Sequence, residues 1–181
     1  MELIEELKKL ENTYKKEESL LITKNNSSVL LINISNDTLS NSYIRAITRY
    51  VSANTLSSYI VNTKDSVEIP VEYLNEKISE LLSSKDIKLI IELTSTKEEY
   101  DIVYKTSKEL DYTIVKELED AFYESNITNI KQQAEKESIK NYDYIEVAIN
   151  NLYHDIDKPE NIERVCNALI NFIKMYINFT D

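Results

Sequence analysis

The chain has no glycine anywhere in its 181 residues. Glycine is the one residue that enters the left-handed backbone region without steric cost and lets a ligand approach the bare main chain. Motifs built on that freedom are excluded. A Walker-type phosphate loop and a dinucleotide fingerprint cannot be written without it. Nor can a Gly-x-Ser-x-Gly nucleophile elbow or the turn of an EF-hand calcium loop. Asparagine is the best substitute at left-handed positions and is abundant here, so turns are expected to rest on it. Asn25-Asn26 is one such expected turn.

Other chemistry-bearing residue types are equally scarce. One His (His154) and one Cys (Cys166) are too few for the usual zinc sets, and a single Cys leaves no internal disulfide. Cys166 falls on an apolar helix face and reads as a small buried hydrophobe, not as half of a Cys–His catalytic pair. His154-Asp155-Ile156-Asp157 offers possible metal donors, but it precedes Lys158-Pro159 and reads as a loop capping the last helix. A magnesium nuclease would need clustered carboxylates with a lysine close by. Glu92 ends an apolar run without such a lysine, and Glu117, Glu119, Asp120 and Glu124 are divided between helix faces. No catalytic residue, cofactor or metal is assigned on these grounds, and the chain is expected not to be an enzyme.

Charge is unevenly distributed. The net charge of −11 divides into −2 over residues 1–18, +3 over 19–64 and −12 over 65–181. A long acidic surface repels nucleic acid and steers toward basic partners.

Hydrophobic periodicity suggests the elements. Residues 2–17 read as an amphipathic helix. The runs 20–23 and 29–34 read as a β-hairpin turning at Asn25-Asn26. A helix capped by Asn36, Asp37 or Thr38 runs to about residue 56, with Arg45 and Arg49 on one face. Short strands follow at 57–61 and 67–69, then a helix opened by Pro70 and a strand at 87–93. Residues 97–106 fit a helix through Thr96 and Glu99 at capping-box spacing, or a strand through the alternation Tyr100, Ile102, Tyr104; helix is favoured. From residue 107 everything reads helical, including 142–153 on Ile145, Ala148, Ile149 and Leu152, and a long apolar helix after Pro159.

The fold expected from this pattern is α+β and helix-dominated. A small N-terminal antiparallel sheet with helices would occupy residues 1–106, and an all-helical bundle 107–181 would pack on it, as two units or as one continuous domain. The expected function is a non-enzymatic acidic protein-binding module. It would be an inhibitor or anti-defence protein from an AT-rich phage or viral genome, covering a basic protein surface with Glu117, Asp120 and Glu124. One alternative is a nucleic-acid-binding accessory protein using Tyr43, Arg45, Arg49 and Tyr50. Another is an oligomerising protein that pairs through its first and last helices as a homodimer. The acidic N-terminus and the lack of an apolar run of membrane-spanning length suggest a cytoplasmic protein without membrane contact.

Overall fold

The computed structural model describes residues 2–13, 20–34, 41–63, 69–84, 87–97, 99–134 and 142–180. Helix α1 (Glu2–Glu11) leads into β1 (Leu20–Thr23) and β2 (Val29–Asn33), followed by α2 (Ile44–Thr55) and β3 (Ser58–Asn62). Then come α3 (Val71–Ser84), β4 (Leu89–Thr96) and β5 (Ile102–Thr106). The chain ends with α4 (Tyr112–Glu124), β6 (Ile130–Gln132), β7 (Asp143–Asn150), a 3-10 turn at Asn151–Tyr153 and α5 (Pro159–Thr180). None of the helices is long and apolar enough to cross a membrane, among the described residues.

All seven strands form one sheet in the order β1-β3-β2-β4-β7-β5-β6. Its centre, β3-β2-β4-β7, is parallel throughout. The strands β1 and β5 pair antiparallel with β3 and β7, and β6 runs parallel to β5 at the far edge. Both faces of the centre are apolar because helices cover both. One face packs Leu31, Ile91, Leu93, Ile145, Val147 and Ile149 against residues of α1, α2, α4 and α5. The other packs Leu30, Ile32, Ile60 and Ile90 against Leu74, Ile78, Leu81 and Leu82 of α3. The molecule is a three-layer α/β/α structure.

This corrects the expected small N-terminal antiparallel sheet followed by a helical bundle. Residues 107–181 are not all helical: they contribute β6 and the central strand β7 to the same sheet as the first half. The region 142–153 misleads because Ile145 and Ile149 are four apart, a spacing shared by periods 2 and 3.6. The strand period is the real one, with Ile145, Val147 and Ile149 all fully buried on one face. The segment 97–106 likewise holds the strand β5 rather than a helix, and Thr96 is the last residue of β4.

The expected hairpin is absent too. β1 and β2 do not pair; β3 lies between them. Neither Asn25 nor Asn26 has positive φ. Instead Asn25 Nδ2 donates to the Ser57 carbonyl at 2.8 Å, and its backbone N–H donates to Ser58 Oγ at 2.9 Å, tying the loop to the start of β3. The candidate caps Asn36, Asp37 and Thr38 and the expected strand residues Val67 and Glu68 lie outside the described residues.

Candidate active site at the carboxyl edge of the sheet

From β2 the chain moves through α2 to β3 on one side, and from β3 through α3 to β4 on the other side of β2. The direction reverses between β2 and β4, which makes this point of the carboxyl edge a topological switch point. Open parallel sheets bind ligands at such switch points. The strands β2, β3 and β7 each end on asparagine: Asn33, Asn62 and Asn150. Asn33 is 0% exposed, and its Nδ2 donates to the Leu93 carbonyl of β4 at 2.8 Å across the switch point. Its Oδ1 is buried and has no hydrogen-bond partner. A buried acceptor without a donor costs about 1–3 kcal/mol, a cost that a bound N–H group would remove.

Two segments meet on this edge. Residues 41–43, ahead of α2, are clipped to residues 154–157, between β7 and α5. Tyr43 N–H donates to the His154 carbonyl at 2.8 Å and Ile156 N–H to the Asn41 carbonyl at 2.9 Å. Asn41, at φ 65°, also donates from Nδ2 to Asp157 Oδ2 at 2.8 Å. Asparagine here takes the left-handed position that glycine would otherwise fill. The clip holds Ser42 Oγ 2.9 Å from His154 Nδ1, while His154 Nε2 lies 3.1 Å from Asn151 Oδ1. The Asn151 amide oxygen accepts from Nε2 in the tautomer that carries its proton there, and in that tautomer Nδ1 accepts the Ser42 hydroxyl proton. His154 is 1% exposed, and Ser42 is only partly buried. A histidine locked in one tautomer by a second group and bonded to a serine hydroxyl is the layout that activates serine for acyl transfer.

A second polar cluster lies on the α3 face of the sheet. Glu92 of β4 and Glu146 of β7 are neighbours in register. Tyr144 donates its hydroxyl proton to Glu92, and Lys105 Nζ is 3.7 Å from Glu146 Oε2. Burial first, then the Glu92 charge, holds the Tyr144 phenol far above the ordinary tyrosine range, so it remains a donor. Each carboxylate thus has a partner within the sheet.

The residues singled out in the sequence fall elsewhere. Arg45 forms an ion pair with Glu11 of α1 at 2.8 Å. Arg49 donates to the Leu10 carbonyl at 2.6 Å and to Thr13 Oγ1 at 3.1 Å. Both arginines hold α1 against α2, and Tyr43 and Tyr50 pack on the main core. Glu117 and Glu124 are exposed on α4 and Asp120 is partly buried. Cys166 is buried inside α5, where burial pushes its thiol far above the ordinary range. Sequence reasoning weighed His154 only with its immediate neighbours. Its partner Ser42 is 112 positions away, and no local spacing connects them.

No family model matches the sequence, and no curated protein sequence does. The fold, by contrast, matches solved structures over nearly the whole chain. A bacteriophage poly-γ-glutamate hydrolase superposes with a TM-score of 0.61 at 8% identity, covering 96% of this chain and 97% of that one. A protein named YNDL, in a zinc-free form, gives 0.58 at 11% identity over 92% and 95%. An N-acetylmuramoyl-L-alanine amidase of Nostoc punctiforme gives 0.55 at 10% identity over 86% and 99%. The shared feature is the fold. These likenesses overturn the expectation of a non-enzymatic inhibitor or anti-defence module, because the architecture is one on which hydrolases and amidases are built.

The zinc named for one of these structures does not fit the described residues of this chain. No group of three or more His, Cys, Asp or Glu side chains converges to hold a metal among them. Both ring nitrogens of the single histidine are engaged by Ser42 and Asn151. The single cysteine is sealed in the core as a thiol. Asp155 and Asp157 accept hydrogen bonds from Asp157 N–H and Asn41.

Proposed function

We propose that the protein is a hydrolase that cleaves an amide bond in an N-acylated peptide, of the kind cut by N-acetylmuramoyl-L-alanine amidases. The observation that carries this reading is the fold shared with such enzymes along 86% of this chain and 99% of the Nostoc amidase. The carboxyl edge supplies groups suited to the task. Ser42 and His154 form a hydroxyl–imidazole pair at that edge.

Charge favours a muramoyl peptide over polyglutamate as substrate. A protein of net charge −11 repels a polyanion such as poly-γ-glutamate, which lowers its encounter rate at low ionic strength. The test is incubation with purified muropeptides and with poly-γ-glutamate, followed by mass spectrometry of the products. Release of free peptide from muropeptides is expected. Cleavage of poly-γ-glutamate alone would overturn the substrate class, and cleavage of neither would overturn the hydrolase reading.

A further inference from the structure

We infer that this hydrolase works through a covalent acyl-enzyme on Ser42, with His154 as general base and acid and Asn151 as the positioning residue, and without a catalytic metal. The inference rests on the hydrolase reading above, but its evidence is separate. The fold is shared with a protein for which zinc is named, whereas no cluster of metal-ligating groups exists among the described residues and the one histidine is committed to Ser42 and Asn151. The pair is fixed before any substrate arrives, since residues 41–43 and 154–157 are joined by main-chain bonds on both sides of it. The amino end of α2 begins two residues after Ser42, and the side chain of Tyr43 does not cap it. The positive end of that helix dipole thus lies beside Ser42, where it would favour negative charge growing on the carbonyl oxygen.

The reaction balances with water as the only co-reactant. Ser42 Oγ bonds to the acyl carbon as its proton passes to His154 Nδ1. The C–N bond then breaks and the amine leaves with that proton. Water next adds to the ester carbon and gives its proton to Nδ1. Finally the ester C–O bond breaks, the acid departs and the proton returns to Ser42 Oγ. Throughout, Asn151 Oδ1 accepts a hydrogen bond from Nε2–H, which stays on the ring and keeps it in the working tautomer.

The test uses the full chain with a fluorophosphonate probe, intact-mass analysis and peptide mapping, beside the muropeptide assay with and without a chelator. One adduct on Ser42 is expected, with none in Ser42→Ala and chelator-resistant cleavage that falls by about 10³-fold or more in that variant. Asn151→Asp should keep labelling but move the acid limb of its pH profile upward, because a carboxylate raises the basicity of the imidazole. A merely structural Asn151 would leave that limb in place. If Ser42→Ala does not fold, Ser42→Cys provides the second arm: iodoacetamide should alkylate position 42 while sparing Cys166. Cleavage without labelling, or cleavage abolished by the chelator, would overturn the inference and leave the hydrolase reading standing. Labelling of Ser42 without cleavage of either substrate would keep Ser42 as a reactive nucleophile and overturn the hydrolase reading proposed above. Neither labelling nor cleavage would overturn both.

Discussion

Three described residues other than glycine hold positive φ: Asn41 at 65°, Leu56 at 55° and Asn126 at 62°. The sequence pointed to asparagine for such places, and two of the three are asparagine. Leu56 is the exception. It ends α2 in the left-handed region, with its N–H on the Ser52 carbonyl and its side chain 69% exposed. A Cβ in that region costs roughly 1–2 kcal/mol, and an exposed leucine recovers little of it by burial. Leu56→Gly is therefore expected to raise stability by about 1 kcal/mol in urea unfolding; a loss of stability would contradict the assigned backbone. Asp143 offers a second check. Burial first, then repulsion from Asp111 and Glu109, holds its carboxyl above the usual range. The folded state thus keeps this proton to higher pH than the unfolded chain does. The group's contribution is most favourable below the unfolded pKa and is lost as pH rises through the folded one. Asp143→Asn should melt higher than wild type at neutral pH and lose part of the fall in Tm that wild type shows as pH rises above the ordinary carboxylate range. Equal profiles would remove this account of Asp143.

Among the elements, α3 and α5 are legible because each has a proline at its amino end and a sustained helical stripe; β2 and β4 are legible as continuous apolar runs. The strand β7 is not. Its eight residues satisfy both periods, and it lies beyond a stretch of helical pattern that biases the reading. What makes it a strand is its two neighbours, β4 and β5, which are far away in sequence. Tertiary pairing of this kind overrides local pattern. Ile145 tests the assignment. As a residue of a central strand, 0% exposed against α4 and α5, it should cost about 2–5 kcal/mol when cut to alanine. A cost under about 1 kcal/mol, as at a surface helix position, would contradict it.

At the scale of the whole molecule, the sequence conveyed an α and β mixture but not its arrangement. The parallel core joins strands separated by crossovers, and β7 slots between β4 and β5 after both have been made. Charge and composition carry no trace of that order. The site suffers the same loss: Ser42 follows the second strand, while Asn151 and His154 follow the last. Each is unremarkable alone, and only the reversal of direction between β2 and β4 and the clip across the carboxyl edge unite them. Glycine's absence did exclude phosphate loops and the glycine-bounded nucleophile elbow. It did not exclude a serine held by a clip built on Asn41. The account turns on that clip, and the most direct measurement is muropeptide cleavage by wild type and by His154→Gln in the presence of a chelator. Cleavage should proceed in wild type and fall by about 10³-fold or more in the variant. Equal rates in the two proteins would contradict the assignment of this edge as the active site.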